Sequence, residues 1–382
     1  MYMRLKYIFI GTLAGMLVMA GAVYALASMG ALINHGHDSK IQEILYLLDR
    51  YSINPYEKDE LVEHMYRGLV GGVGDPYTYY YDLSELEAFN IQTEGVYAGV
   101  GMQVNVGEDG LVTIVLVYPD TPAYNAGLLP GDKIIAIDGF DATVFDKLDE
   151  VTSKTKGEPG TEVVLTILRP SEDMEFDASI TRQIINIPTI SHRLLDHMLG
   201  YIKIDQFDRT TFDQFTNAYY ELSDMGALGG LVIDVRNNPG GLLDSVIDIA
   251  NFLLPEGVIT YMEDKSGERQ YHNSDEEFVD LPMVFIVNEH SASASEVLAG
   301  AARDLIGSPL VGRQTFGKGS VQNLYELADG SAVKITVSKY FTPNGISIQG
   351  EGLLPDYIVP VAEDGDAGLD KAVEVLLGMI NG

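Results

Sequence analysis

Apolar positions recur along this chain with several different periods, and each period predicts a different element. Arg4 and Lys6 precede an uncharged run from Tyr7 to Ile33, longer than the roughly 20 residues that span a bilayer. Residues Ile41 to Phe89 read as mostly helical, with Leu45, Leu47 and Leu48, then Leu61, Met65 and Leu69, until Asp75-Pro76-Tyr77-Thr78-Tyr79-Tyr80-Tyr81 breaks the pattern. From about Gly95 to Arg169 short alternating strands and turns take over. After Thr181 strands and helices alternate. Tyr201 to Ile204 is followed by a helix opened by Thr211-x-x-Gln214 with Phe215, Tyr219 and Leu222 inside. The apolar strand Leu231 to Val235 leads to a helix with Leu242, Leu243, Val246, Ile249, Ala250 and Leu253 on one face. The strand Met283 to Val287 leads to a helix with Val297, Leu298, Ala301, Ala302 and Leu305. The acidic stretch Glu263 to Asp280 reads as a solvated hairpin or loop, and Leu369 to Ile380 as a tail helix fit for packing or for contact with a second copy in a homodimer.

These patterns predict five segments: a signal-anchor over 1–33, an N-terminal helical segment over 34–92, a mainly-β domain over 93–180, an α/β core with a mixed sheet and flanking helices over 181–362, and a C-terminal helix over 363–382. The first is oriented by its basic flank with the bulk of the chain outside the cytoplasm. Ala25-Leu26-Ala27 offers the alternative of a cleaved signal and a secreted product.

Composition narrows the chemistry. The chain has 382 residues, enough for two or three domains, and 46% are hydrophobic. With 24 basic and 56 acidic residues its formal charge is −32, so phosphate backbones would be repelled and nucleic acid is not an expected partner. Cysteine is absent, which removes both disulfides and a thiol nucleophile. His35, His37, His64, His192, His197, His272 and His290 are scattered, with no His-Glu-x-x-His spacing, so no metal or other cofactor is expected. No Gly-x-Ser-x-Gly run encloses a serine that these histidines might serve, and His290 reads as bordering a site more than acting in it.

Chemistry concentrates in His290-Ser291-Ala292-Ser293-Ala294-Ser295-Glu296 and in Phe316-Gly317-Lys318-Gly319-Ser320-Val321-Gln322. A serine hydroxyl needs a base, and a lysine serves as one only if burial lowers its pKa toward neutrality. Gly317 and Gly319 let the backbone around Lys318 bend, Phe316 and Val321 offer apolar walls, and Gln322 can hydrogen-bond an amine without adding charge. Ser293 falls at a helix N-terminus, where free amides and a partial positive charge favour an oxyanion. Taken singly, Ser291 and Ser295 are ordinary caps and Lys318 a surface charge on a turn. The Asn-Pro-Gly-Gly turn ending at Gly241 allows a backbone amide to face a substrate carbonyl, so Gly240 or Gly241 joins Ala294 as an oxyanion-hole candidate.

The ordered set Gly200-Tyr201-Ile202-Lys203-Ile204, Asp234-Val235-Arg236-Asn237-Asn238-Pro239-Gly240-Gly241, Ser291 to Glu296, Thr315 to Gln322, Tyr340-Phe341-Thr342-Pro343-Asn344-Gly345 and Gly352-Leu353-Leu354-Pro355-Asp356 resembles the C-terminal processing peptidases, or tail-specific proteases. The resemblance implies Ser293 as nucleophile, Lys318 as base, Gln322 as the group that orients it, and Gly240 over Gly241 in the oxyanion hole. Two departures are visible: Ile346 stands where the family usually has arginine, and Lys156-Gly157-Glu158-Pro159-Gly160-Thr161 replaces an Arg-Gly-x-x-Gly-Thr run.

Residues Gly99 to Val104 and Pro122 to Gly139 resemble a PDZ domain, which implies that the loop Tyr97, Ala98, Gly99, Val100, Gly101 and Met102 binds a terminal carboxylate and that the following strand accepts a peptide by β-augmentation. The expectation is an α/β protease core with an inserted PDZ domain, anchored by an N-terminal transmembrane helix. It would cut extracytoplasmic polypeptides and choose some of them by their free C-termini. The rival is a PDZ scaffold that binds tails without cutting them.

Overall fold

The computed structural model describes residues 39–144, 148–360 and 365–382. The expected membrane-spanning segment of residues 1–33 lies outside them. Among the described residues no helix is long and apolar enough to cross a membrane. The chain divides into a unit ending at Gly68 and a unit beginning at Leu69. In the first, a helix over 39–51 precedes the helix Lys58–Gly71, whose last residues belong to the second unit.

In the second unit a six-stranded sheet runs in the order Ile190–Leu195, Leu199–Ile204, Gly230–Asp234, Met283–Val287, Leu310–Gly312, Tyr357–Ile358. The first pair is antiparallel and every later pair parallel. The two central strands are buried along their whole length, as their unbroken apolar runs require of a sheet covered on both faces. Their side chains divide by alternation. Leu231, Ile233, Met283, Phe285 and Val287 enter one core with Phe215, Val246, Ile249 and Leu298. Val232, Val284 and Ile286 enter the other with Leu369, Ala372 and Leu376 of the tail helix Ala367–Asn381. The face of the tail helix that the sequence also offered to a second copy is therefore covered by its own sheet.

A separate antiparallel sheet holds Tyr79–Tyr81, Ala332–Phe341, Gly257–Asp264 and Arg269–Ser274, with Ser320–Glu326 also on Ala332–Phe341. The acidic stretch is indeed a hairpin in its first half. The tyrosine run expected to break the helices forms a strand at Tyr79–Tyr81, because three consecutive tyrosines find a partner strand far away in sequence. The helix Thr211–Asp224 begins one residue earlier than its box suggests, with Thr210 at the cap. Thr211 instead turns its hydroxyl inward as a partner of Asp208 and Thr189.

The mainly-β domain is a sheet in the order Met102–Val106, Val112–Val117, Lys133–Ile137, Glu162–Arg169, Met174–Thr181. Met102–Val106 is its edge, and the helix Leu148–Thr155 follows in sequence from the turn after Phe140–Asp141. The two-stranded ribbon Val96–Gly99 with Gln183–Asn186 joins it to the core.

Arg236, just past the strand Gly230–Asp234, ties the two ends of the core together. It donates to both oxygens of Asp366, at 2.7 and 2.8 Å, and to Asp234, which also accepts from Tyr201 at 2.8 Å. Arg236 holds the Asp366 carboxyl below its ordinary value, and burial opposes this. A depressed carboxylate contributes stability above its unfolded pKa and loses it as pH falls through the folded value. Asp366→Asn is therefore expected to destabilise by less than about 1 kcal/mol at pH 7, because the carboxylate is partly exposed. The gap from the parent should close once the pH has fallen through that lowered folded value, where the Asp366 carboxyl is neutral. Denaturant titration at pH 7 and in acid reads this; an unchanged gap would contradict it.

Candidate active site

Both loops that carry the motifs leave the carboxyl ends of neighbouring parallel strands, where open α/β sheets place their sites. Asn237–Gly241 follows Gly230–Asp234, and Asn288–Ser293 follows Met283–Val287. Reciprocal polar contacts stitch them together. Asn288 accepts from the Asn237 amide at 2.9 Å and donates to the Asn237 side chain at 2.8 Å. The Asn238 carbonyl accepts from the Ala292 amide and the Ser295 hydroxyl, both at 3.0 Å. Ser291, fully buried, donates to the Val235 carbonyl at 2.8 Å. The flanking serines thus act as loop fasteners.

Ser293 caps the helix Ala294–Ile306 with φ 57° and ψ −117°. A non-glycine residue in this region stores backbone strain, which persists only where the surroundings over-determine it and which clusters at functional sites. Here the surroundings are dense. A Cβ on Gly240 would lie 2.7 Å from the Ser293 Cβ, and one on Gly241 only 1.9 Å from the Phe207 carbonyl oxygen. Both glycines have positive φ, so the Gly-Gly pair is required by space and by conformation.

The fully buried Glu296 fastens the second motif to the first. Its carboxylate accepts from the Ser293 amide at 2.9 Å, the Thr315 hydroxyl at 2.5 Å, the Gly317 amide at 2.8 Å and the Lys318 amide at 2.9 Å. Burial raises its pKa and these donors oppose the rise. One side chain thereby sets the backbone of Ser293 and Lys318 together, a role that sequence reasoning missed because Glu296 reads as an ordinary first-turn glutamate.

Ser293, Ala294, Gly240, Gly241, Lys318 and Gln322 line one cavity of about 370 Å³. Burial lowers the Lys318 pKa, the positive charge of Lys334 lowers it further, and Glu296 and Asp75 oppose both. Its amine rests 4.8 Å from the centre of the Tyr77 ring. The buried Tyr340 phenol donates to the Lys318 carbonyl. Among the described residues no hydrogen bond joins the Ser293 hydroxyl to the Lys318 amine, a separation common in sites without substrate.

Two of the expected site groups have other partners in this arrangement. Gln322 shares the cavity, but its amide donates to the Ser320 and Thr336 hydroxyls at 2.9 and 3.2 Å and not to Lys318. A register shift between Val321 and Gln322 turns the strand at this point. The Gly240 amide is occupied by the Asn238 side chain at 2.8 Å, whereas the amides of Gly241 and Ala294 make no hydrogen bond among the described residues. His290 is exposed and outside the cavity lining.

In the β domain a groove of about 210 Å³ lies between the edge strand, through Met102 and Val104 with Val100 just before it, and the end of the helix Leu148–Thr155, through Thr152 and Thr155 with Lys156 just past it. Tyr97 also lines it. Its ring packs over Gly99. Burial pushes its pKa up to about 12, the neighbouring Tyr118 adds to this, and the backbone amides of Gly101 and Met102 oppose it. Gly101 has φ 89° and leaves no room for a Cβ beside Thr121.

Residues 198–359 match the model of peptidase family S41. The carboxyl-terminal-processing protease of Synechocystis is 34% identical over 346 residues, covering 87% of this chain and 81% of that protein. The chain belongs to peptidase family S41. A Bacillus subtilis member, the carboxy-terminal processing protease CtpA, is 33% identical over 84% of this chain and 70% of its own length. Residues 113–169 match a PDZ-domain model. A solved structure from Bacteroides fragilis, of a protein assigned to S41, shares the fold with a TM-score of 0.51 at 16% identity, covering 86% of this chain and 93% of that one. This S41 chain is therefore a serine-type peptidase of the carboxyl-terminal-processing group, with a PDZ domain, and it acts on protein substrates.

Proposed function

We propose that this S41 peptidase cleaves its substrates with Ser293 as nucleophile and Lys318 as general base, and that its PDZ groove takes the free C-terminus of the substrate. The observation that carries the reading is the strained Ser293 at a helix N-terminus, sharing one cavity with a buried lysine whose pKa is lowered. As a peptide carbonyl enters, the Ser293 proton passes to the neutral Lys318 amine while Oγ bonds to the carbonyl carbon. The unengaged amides of Gly241 and Ala294 are suited to the resulting oxyanion, and Gly240 joins them if Asn238 releases it. Lys318 then returns the proton to the leaving amine. Gln322, in the same cavity, is suited to steady the base once Lys318 leaves the Tyr77 ring. Further parts of the reading are an anchor over residues 1–33 that holds the catalytic part outside the cytoplasm, and substrates met there.

A tail carboxylate reaching the PDZ groove would meet the backbone amides around Gly101 and Met102, with Lys156 nearby to neutralise the charge. Free-acid peptides with an apolar last residue are expected to bind and to stimulate cleavage of a second substrate; their amidated forms should do so at least tenfold less well. Fluorescence anisotropy and cleavage assays on the full chain test both. Equal binding of the two peptide forms would remove the carboxylate from recognition.

A further inference from the structure

The cavity that holds Ser293 contains a second lysine for which the reaction as described has no use. Among the described residues lining it, Lys318 and Lys334 are the two cations. Lys334 extends from the strand Ala332–Phe341, opposite Leu324 on one neighbour and Tyr79 on the other. Its amine donates to the Tyr81 hydroxyl at 2.6 Å and lies 5.0 Å from the centre of the Tyr81 ring and 5.3 Å from that of Phe89. Among the described residues no carboxylate comes within ion-pair distance of Lys334 or of Lys318. An uncompensated cation that is partly withdrawn from water is costly, and a surface role would be served as well by a lysine pointing outward.

The groups facing Lys318 show where that cost has an effect. From the helix Ala294–Ile306 comes Glu296, whose carboxylate is already bonded to four donors. From the segment before Tyr79–Tyr81 come the Tyr77 ring and Asp75, the latter accepting from the Tyr77 amide at 3.1 Å and the Thr78 hydroxyl at 2.6 Å. From Ala332–Phe341 come the neutral Tyr340 phenol and Lys334. Both acids are thus turned toward other donors, and the remaining charged neighbour is positive.

We propose that Lys334 is a positioning residue for the base: held by Tyr81 and Phe89, it keeps the local proton on its own amine and leaves Lys318 free to take the proton of Ser293. The proposal rests on the reading of Lys318 as base. Two lysines in one cavity titrate as a pair, and the first proton settles on the better-solvated partner. Lys334 has an oxygen acceptor and two ring faces, whereas the Lys318 amine has one ring face. A cationic neighbour is a recognised means of making a lysine nucleophilic or basic near neutrality. Burial lowers both amines, and Lys334 is the second cause, after burial, of the Lys318 shift.

The test is the pH profile of kcat/KM for the full chain on a fluorogenic peptide. Lys334→Met should move the acid limb about one unit upward, so that activity falls roughly tenfold at pH 7 and converges on the parent above about pH 9. Lys334→Arg, which keeps the charge, should hold the limb near its original place, and Tyr81→Phe should move it the same way by less. Circular dichroism and thermal unfolding of each variant establish that it is folded. If Lys334→Met is folded but loses activity by one factor at every pH, or none at all, the proposal is wrong. Lys318→Ala run beside them separates the two ideas: substantial activity there overturns the base itself, while an inactive Lys318→Ala with an unmoved Lys334→Met limb overturns only the role of Lys334.

Discussion

Ser293→Ala and Lys318→Ala are each expected to abolish cleavage, with kcat falling on the order of 10⁴-fold or more, as happens when one member of a nucleophile–base unit is removed. Neither change should unfold the chain. Ser293→Ala deletes one oxygen and leaves in place the backbone bond from residue 293 to Glu296. The Lys318 side chain has no hydrogen bond among the described residues, and its backbone amide still reaches Glu296. Gln322→Ala should cost less, about tenfold, because its amide is bound to Ser320 and Thr336 and not to the amine. Since burial lowers the Lys318 pKa and the neutral amine is the active form, activity should rise with pH through that lowered value and level off above it. Steady-state kinetics on one peptide, with circular dichroism of each variant, decide the matter. Measurable turnover by pure, folded Ser293→Ala would end the assignment.

How much of this was legible in the sequence depends on the range of the interactions involved. The central strands and their helices were readable, because buried parallel strands are continuous apolar runs and their helices carry one apolar face. Ser293 and Lys318 stood out as candidates because each sits in a local run of small residues. Glycine at 240 and 241 was also a local signal, though which amide stays free depends on Asn238 folding back two residues. What escaped was long-range pairing. Tyr77 and Tyr81 come under Lys318 and Lys334 only because Tyr79–Tyr81 joins a strand some 250 residues away. Lys334 itself lies in an alternating strand, where nothing in the pattern tells which face closes over the catalytic cavity. The present partners of Gln322, the Ser320 and Thr336 hydroxyls, were out of reach for a related reason: Thr336 comes from the neighbouring strand, past a register shift at Val321 and Gln322.

The last expectation concerns Glu296, the residue on which the geometry of both motifs converges. Replacing it with Ala would leave the Ser293, Gly317 and Lys318 amides and the Thr315 hydroxyl without their acceptor in a region closed to water. Each buried donor left unsatisfied costs on the order of 1–3 kcal/mol before relaxation. Glu296→Ala is therefore expected to destabilise the second unit by about 3 kcal/mol or more and to inactivate it. Glu296→Gln separates support from charge. Its amide oxygen can still accept from some of these donors, but its NH₂ group must face at least one of the amides. Loss of stability should be roughly half that of Glu296→Ala, while catalysis should fall at least a hundredfold because Ser293 and the Lys318 turn lose their common anchor. The neutral side chain also removes a negative charge that raises the Lys318 pKa, so any residual activity should have its acid limb moved to lower pH. Denaturant unfolding and pH profiles of the two variants read these effects independently. A Glu296→Gln enzyme with parent-like kcat would show that the anchor is dispensable and that the strained turn at Ser293 is held by the packing of Gly240 against it.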